Sequence, residues 1–315
     1  MILLTGAAGF IGYHVSKSLL SQGIEVIGID NINEYYDPKL KLSRLKKLET
    51  EKNFIFEKAD ICDNDRLIEI LKKYKPKKIC HLAAQAGVRY SITNPFVYQK
   101  SNMEGFLNIL ELARNGNVEN FVYASSSSVY GGNTKLPFSE TDPVEKPISL
   151  YAATKRSNEL IAYTYSHLYN IPCSGLRFFT VYGPWGRPDM ALFIFTKAIL
   201  EEREIEVFNG GNMLRNFTYI DDIVDGVIRV LQTPKSYEIY NIGNSRAEKL
   251  LDFIEEIEKN VGKKAIRKYC SMQPGDVVAT VADISKINKL GYVPKTNIKE
   301  GIANFVNWYK EYYKK

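Results

Sequence analysis

The chain has little of what metal centres, disulfide scaffolds and membrane spans require. Only three histidines and four cysteines occur in 315 residues, and Cys62, Cys80, Cys173 and Cys270 show neither metal-ligand nor disulfide-framework spacing. That pattern argues against a zinc module and a disulfide-stapled fold, and it predicts a reducing compartment, the cytoplasm. No apolar run approaches the about 20 residues of a membrane span, so no membrane partner is expected. Met1 leads into Ile2-Leu3-Leu4 and then Thr5-Gly6, without a basic stretch before a long apolar one, and no secretory leader is predicted. Charge of one sign is not concentrated either. Against 36 acidic residues stand 42 basic ones, a net of +6, and lysines run together only as pairs such as Lys46-Lys47 and Lys314-Lys315. This spread leaves no nucleic-acid footprint and suits small anionic substrates. Internal repeats and low-complexity tracts are absent from the sequence.

What is present is an alternation. Short apolar runs read as strands at Ile2-Leu3-Leu4, 25–29, 53–56, 78–82, Phe121-Val122-Tyr123-Ala124 and 173–177, separated by helical patterns at 11–22, 65–74, 102–114 and 151–169. The order predicts an α/β fold, a doubly wound parallel sheet of Rossmann type. After Gly183-Pro184-Trp185-Gly186-Arg187-Pro188 the alternation fails, and a smaller mixed C-terminal substrate region is expected. The division is placed at 1–180 and 181–315, with 216–243 returning to the first part as a helix that follows Tyr219-Ile220-Asp221-Asp222.

Between the first strand and first helix lies Thr5-Gly6-Ala7-Ala8-Gly9-Phe10-Ile11-Gly12. There Gly6, Gly9 and Gly12 permit a tight turn, close approach of a diphosphate and close helix packing, while the helix start supplies amide donors. Asp30 ends the second strand about 20 residues on, where a carboxylate accepts from the adenosine ribose and repels a 2′-phosphate. No Lys or Arg follows until Lys39, so NAD is favoured over NADP, with Asn31 beside the ribose site. Asp60 and Ile61 follow the third strand and reach the adenine, or Asp60 caps the next helix.

The spacing Tyr-x-x-x-Lys occurs at Tyr151/Lys155 but also at Tyr13/Lys17, Tyr35/Lys39 and Tyr74/Lys78. Only the first copy lies downstream of both the glycine loop and Ser125-Ser126-Ser127-Ser128. On a helix Lys155 stands on the face of Tyr151. A neighbouring ammonium lowers the phenol's proton affinity and suits it to take a hydroxyl proton as hydride leaves the carbon. Ser126 and Ser128 share a face if the run is extended, and either could relay the proton.

Taken together, these residues resemble the extended short-chain dehydrogenase/reductase family over almost the whole chain, and within it the nucleotide-sugar 4-epimerases. His81-Leu82-Ala83-Ala84-Gln85, Tyr130-Gly131, 177–184 and 215–222 add to the likeness. The resemblance implies that Phe10 and Ile11 join the phosphate loop. It implies that Leu82, Ala83, Ala84 and Ser125 line the cofactor, that Asn102 supports it, and that Phe178 lies near the nicotinamide. Arg215 and Asp276 would meet the nucleotide diphosphate, and Phe208 either stacks on the base or fills the core. Ser127 and Met190 complete the implied substrate set. A homodimer through helices 102–114 and 151–169 is implied as well, although a stripe such as Leu107/Leu110 equally fits an ordinary core face.

The dehydratases of this family carry an Asp-Glu pair after the catalytic Thr, and the UDP-xylose-forming decarboxylases carry a Glu; here the run is Ser126-Ser127-Ser128-Val129-Tyr130. Without a carboxyl group for elimination, epimerisation is favoured. Segments 35–41, 85–91 and 186–191 are similar to those of UDP-glucuronate 4-epimerases. Arg187 could grip a uronate carboxylate through its fork, or pair with Asp189; Thr180 and, more weakly, Arg89 could assist. The expectation is NAD-dependent conversion of UDP-glucuronate to UDP-galacturonate on tightly bound NAD. The alternatives are a UDP-glucose/UDP-galactose 4-epimerase, a dehydratase or decarboxylase, and a non-catalytic NAD-binding protein.

Overall fold

The computed structural model describes residues 1–273 and 275–315. Six strands alternate with helices: β1 Ile2–Thr5, β2 Val26–Asp30, β3 Phe54–Lys58, β4 Lys78–His81, β5 Asn120–Ser126 and β6 Cys173–Phe178. Short pieces follow, β7 Thr180–Tyr182, β8 Glu204–Phe208, β9 Leu214–Arg215 and β10 Phe217–Tyr219. After them come β11 Tyr237–Ile242, β12 Glu248–Lys249 and β13 Ile266–Cys270. The main sheet is wholly parallel with order β11-β6-β5-β4-β1-β2-β3. Alternate residues face opposite sides, so Leu4, Val26, Cys80 and Val122 enter one core while Leu3, Ile27, Ile79 and Phe121 enter the other. Burial on both faces is why β1 and β6 are buried at every residue.

The order in which strands are added reverses between β1 and β4. Loops leaving these strands diverge, and the crevice they leave at the strands' carboxyl ends is the position where such sheets hold ligands. The helix Ile220–Gln232 packs on the helix Phe10–Ser21, and β11 after it completes the sheet beside β6. Three two-stranded pairs are also present, β7 with β10, β9 with β12 and β8 with β13, and residues of β7, β8, β9, β10 and β13 line the crevice.

Two elements depart from the sequence reading. The serine run is not extended: β5 stops at Ser126, whose hydroxyl accepts from the Ser128 amide (3.2 Å), and Ser127–Tyr130 forms a 3-10 turn. The helix expected at 102–114 is a π turn, Gln99–Glu104, running into an α-helix, Gly105–Asn115. Of the apolar stripe on it, Leu110 is core and Leu107 is exposed. Among the described residues no helix is long and apolar enough to cross a membrane.

Candidate active site

One cleft of about 1460 Å³ runs along the carboxyl ends of the strands. It exceeds the about 300–1,000 Å³ of a typical single-ligand pocket, so it has room for two ligands end to end. Gly6, Gly9, Phe10, Ile11, Gly12, Asp30, Asn31, Asp60 and Ile61 line one end. Tyr151, Lys155, Ser125–Ser128, Phe178 and Thr180 line the middle, and Arg89, Phe208, Arg215 and Asp276 the other end.

At the first end the loop is fixed by backbone crowding. Gly6 has φ 74° and its missing Cβ would stand 2.9 Å from the Ala83 nitrogen; at Gly12 a Cβ would meet the Gly6 oxygen at 2.0 Å. The helix Phe10–Ser21 begins at Gly9 without a side-chain cap, so its first-turn amides have no side-chain acceptor there. Asp30 accepts from the amides of Ala8 (3.1 Å) and Ile32 (2.8 Å), which binds β2 to the loop. Burial pushes its carboxyl up, against the Ile32 amide and Lys41. Asp60 does not cap the following helix; Asp63 does, accepting from the Arg66 amide (3.1 Å). The Asp60 carboxylate instead accepts from the Asn31 amide group (2.9 Å) and the Cys62 backbone (2.9 Å), so Asn31 and Asp60 act as one unit.

Asn102 does not line the cleft. It is buried, its oxygen accepts from the Gln85 amide (2.8 Å), and its nitrogen donates to the Gln85 carbonyl (3.0 Å) and the Thr154 hydroxyl (3.1 Å). Its role is to pin the loop after β4 to the helix that carries Tyr151. Leu82, Ala83 and Ala84 in that loop do line the cleft.

The helix Leu150–Tyr169 starts under a Ser149 cap that accepts from the Ala152 amide (3.1 Å), and it presents Tyr151 and Lys155 on one face. Burial raises the Tyr151 phenol above its ordinary value, while the Ser126 hydroxyl beside it and the charge of Arg187 draw it back. The sequence reading assigned that electrostatic task to Lys155. Here Lys155 donates to the Ala124 carbonyl (2.8 Å) at the end of β5, and burial pushes its ammonium down to about 8, with Glu159 opposing. Ser126 donates to the Ser128 hydroxyl (3.1 Å), so the two serines meet through the turn rather than through strand alternation. Ser125 lines the cleft, but its hydroxyl points to Glu159, to which it donates (2.7 Å).

Glu159 escaped the sequence reading although it stands four residues after Lys155. It is fully buried and takes two bonds from Arg177, both 2.9 Å, and one from Arg156 (3.0 Å). Burial alone would raise this carboxyl, but the Arg177 bonds hold it below the usual range.

Arg187 turns its fork to Asp189, with Nε at 3.0 Å and Nη2 also bonded. The Tyr35 hydroxyl, also missed, donates to the same carboxylate (3.0 Å). The two-pronged edge is therefore committed, and Nη1 remains. Thr180 and Met190 line the cleft near it. At the far end Arg89 lies over the Phe208 ring (4.9 Å) and donates to Asp276 (3.3 Å). Phe208 both lines the cleft and leans on the core. Arg215 donates to the Leu214 and Val278 carbonyls, and burial lowers its proton affinity while Asp276 opposes.

A sequence model described as NAD dependent epimerase/dehydratase family matches residues 2–243. Protein CapI of Staphylococcus aureus is 52% identical over all of this chain and 99% of its own length. A UDP-glucuronate 4-epimerase of Thermodesulfobacterium geofontis is 47% identical over 98% of this chain and 96% of its own. A crystal structure of UDP-glucuronic acid 4-epimerase from Bacillus cereus, in complex with UDP-glucuronic acid and NAD, matches with a TM-score of 0.93 at 36% identity, covering 99% of both chains. On the family match and these full-length relatives, the chain belongs to the NAD dependent epimerase/dehydratase family.

Proposed function

We propose that this protein is an isomerase that interconverts UDP-glucuronate and UDP-galacturonate by inversion at C4, with NAD held throughout the cycle. The observation that carries the reading is the position of Arg187, which lines the same cleft as Tyr151 and whose charge lowers the proton affinity of its phenol. C4 and the carboxylate carbon are separated by one ring carbon, so a base working at C4 and a cation holding the carboxylate must be neighbours. The names of the Thermodesulfobacterium and Bacillus proteins support the same substrate.

The first end of the cleft fits a dinucleotide. Amides at the uncapped helix start are aimed where a diphosphate would lie, and each Asp30 oxygen has capacity beyond its single amide bond for a ribose hydroxyl. When bound, NAD takes the C4 hydride and returns it. Tyr151 removes the C4 hydroxyl proton, Ser126 holds the same oxygen, and Ser128 orients Ser126. Lys155, anchored on Ala124, meets the nicotinamide ribose. Arg215, Asp276 and Arg89 hold the nucleotide end, with Phe208 against the base, while the 4-keto sugar turns about its diphosphate linkage.

That intermediate is a β-keto acid, which loses carbon dioxide when its carboxylate bond overlaps the ketone π system. Thr180 and the Nη1 edge of Arg187 keep the bond out of that alignment. Residues 1–180 with 216–243 form the NAD side and the rest the sugar side. Exposed Leu107, Leu160, Tyr163 and Leu168 on the helices Gly105–Asn115 and Leu150–Tyr169 support a homodimer. Four free cysteines support a cytoplasmic setting.

Comparison of kcat/KM for UDP-glucuronate and UDP-glucose tests the substrate. A clear preference for the uronate is expected; turnover of UDP-glucose alone would move the assignment to the neutral-sugar epimerase.

A further inference from the structure

Arg44 is fully buried and, among the described residues, bonds no carboxylate. Its Nη1 donates to the Ala8 carbonyl (2.9 Å) and the Tyr36 hydroxyl (2.7 Å). Its Nη2 donates to the carbonyls of Trp185 (2.6 Å) and Gly186 (3.3 Å). A buried guanidinium with no carboxylate bonded to it is costly even with the Asp30 charge within range, so its retention here needs a reason. Two of its acceptors supply one. Ala8 belongs to the phosphate loop, and Gly186 immediately precedes Arg187.

A second tie runs beside the first. His14, on the helix that follows the phosphate loop, bonds the Pro184 carbonyl through Nε2 (3.0 Å). Burial pushes its imidazole down to about 4, so near neutral pH it is uncharged and donates one N–H. Between the ties Trp185 holds φ 62°, a left-handed conformation unfavourable for a residue with a side chain. Its indole is wedged against Tyr13, Trp308 and Tyr312 at 5.7, 5.2 and 5.1 Å. A strained strap, Gly183–Gly186, is thus fastened to the phosphate loop and its helix, and Arg187 follows it directly.

We propose that Arg44 is a positioning residue that locks the Gly183–Gly186 strap to the phosphate loop and thereby fixes where Arg187 stands beside Tyr151. The inference rests on the reading of Arg187 as the residue that holds the uronate carboxylate. With the strap loosened, the carboxylate of the 4-keto intermediate can rotate into overlap with the ketone. The bond from the ring to the carboxylate carbon then breaks, its electron pair enters the ketone as an enolate, carbon dioxide leaves, and the ring carbon takes a proton. The hydride removed from C4 stays on the nicotinamide.

The test compares purified wild-type holoenzyme with Arg44→Met, which keeps bulk and removes the donors, and with Arg44→Lys, which keeps charge but cannot bridge both loops. Proton NMR gives the ratio of decarboxylated to epimerised sugar. Near-ultraviolet circular dichroism reads the strap itself, because the chain's two tryptophans, Trp185 and Trp308, are the pair in contact there. Both variants are expected to raise the ratio by about fivefold or more and to change the tryptophan spectrum, with far-ultraviolet dichroism retained. A wild-type ratio and a wild-type tryptophan spectrum in Arg44→Met would overturn the proposal. Should Arg44→Met not fold, His14→Phe removes the second tie alone: a raised ratio supports the strap and an unchanged one refutes it. Should the wild type leave UDP-glucuronate untouched, the functional reading fails, and the Arg44→Met tryptophan spectrum still decides whether Arg44 fastens the strap.

Discussion

Replacing Lys155 by methionine should leave stability near neutral pH little changed and remove a large part of its rise with pH. Burial lowers its proton affinity from the ordinary 10.5 to about 8. At about 1.4 kcal/mol for each tenfold change in affinity, keeping the charge costs the folded protein about 3 kcal/mol at neutral pH. Methionine removes that cost and leaves the Ala124 carbonyl without its donor, a penalty of about 1–3 kcal/mol, so at pH 7 the two proteins should be close in stability. The pH dependence separates them. Between about 8 and 10.5 the unfolded chain binds a proton at Lys155 that the folded chain does not, so wild-type stability gains about 3 kcal/mol as pH rises through that window. Lys155→Met has no such gain, while every other titration is shared. At about 2 °C per kcal/mol for a chain of this size, the wild type should advance by about 6 °C in Tm relative to the variant between pH 7 and pH 10.5. Thermal melts at a series of pH values measure this, and a Tm difference that stays constant with pH would refute the reasoning. Turnover in the variant should be lost at every pH.

Two further outcomes are expected. Tyr151→Phe should cut turnover by about 10²–10⁴-fold with little change in melting temperature or bound dinucleotide, measured by NMR assay and by release of NAD on denaturation; a non-catalytic NAD-binding role would leave no turnover to lose. Arg187→Ala should raise the ratio of decarboxylated to epimerised product, and an unchanged ratio would remove Arg187 from the carboxylate.

Much of this architecture is written in local pattern. The six alternating strands, the glycine loop and Asp30 are visible because strand period, helix start and loop lie within one stretch of chain. What escaped depends on partners far away in sequence. The seventh strand, Tyr237–Ile242, hides its nature behind Asn241, whose amide is satisfied by the Phe138 and Asp283 carbonyls. The commitment of Arg187 to Asp189 was weighed as an alternative, but the Tyr35 hydroxyl that shares the carboxylate comes from 154 residues away. Arg44 gives no local signal at all, since its meaning lies in carbonyls at positions 8, 185 and 186. The serine run was read as extended only conditionally: β5 runs two residues past Ala124, and Ser126 then satisfies an amide two residues on, a local competition that stops the strand before Ser128.

The most direct test of the central claim is incubation of the purified protein with UDP-glucuronate and no added NAD, followed by proton NMR. The account predicts UDP-galacturonate accumulating to a constant ratio with its precursor, with the cofactor already on the protein. No conversion of UDP-glucuronate, while UDP-glucose is epimerised under the same conditions, would contradict it.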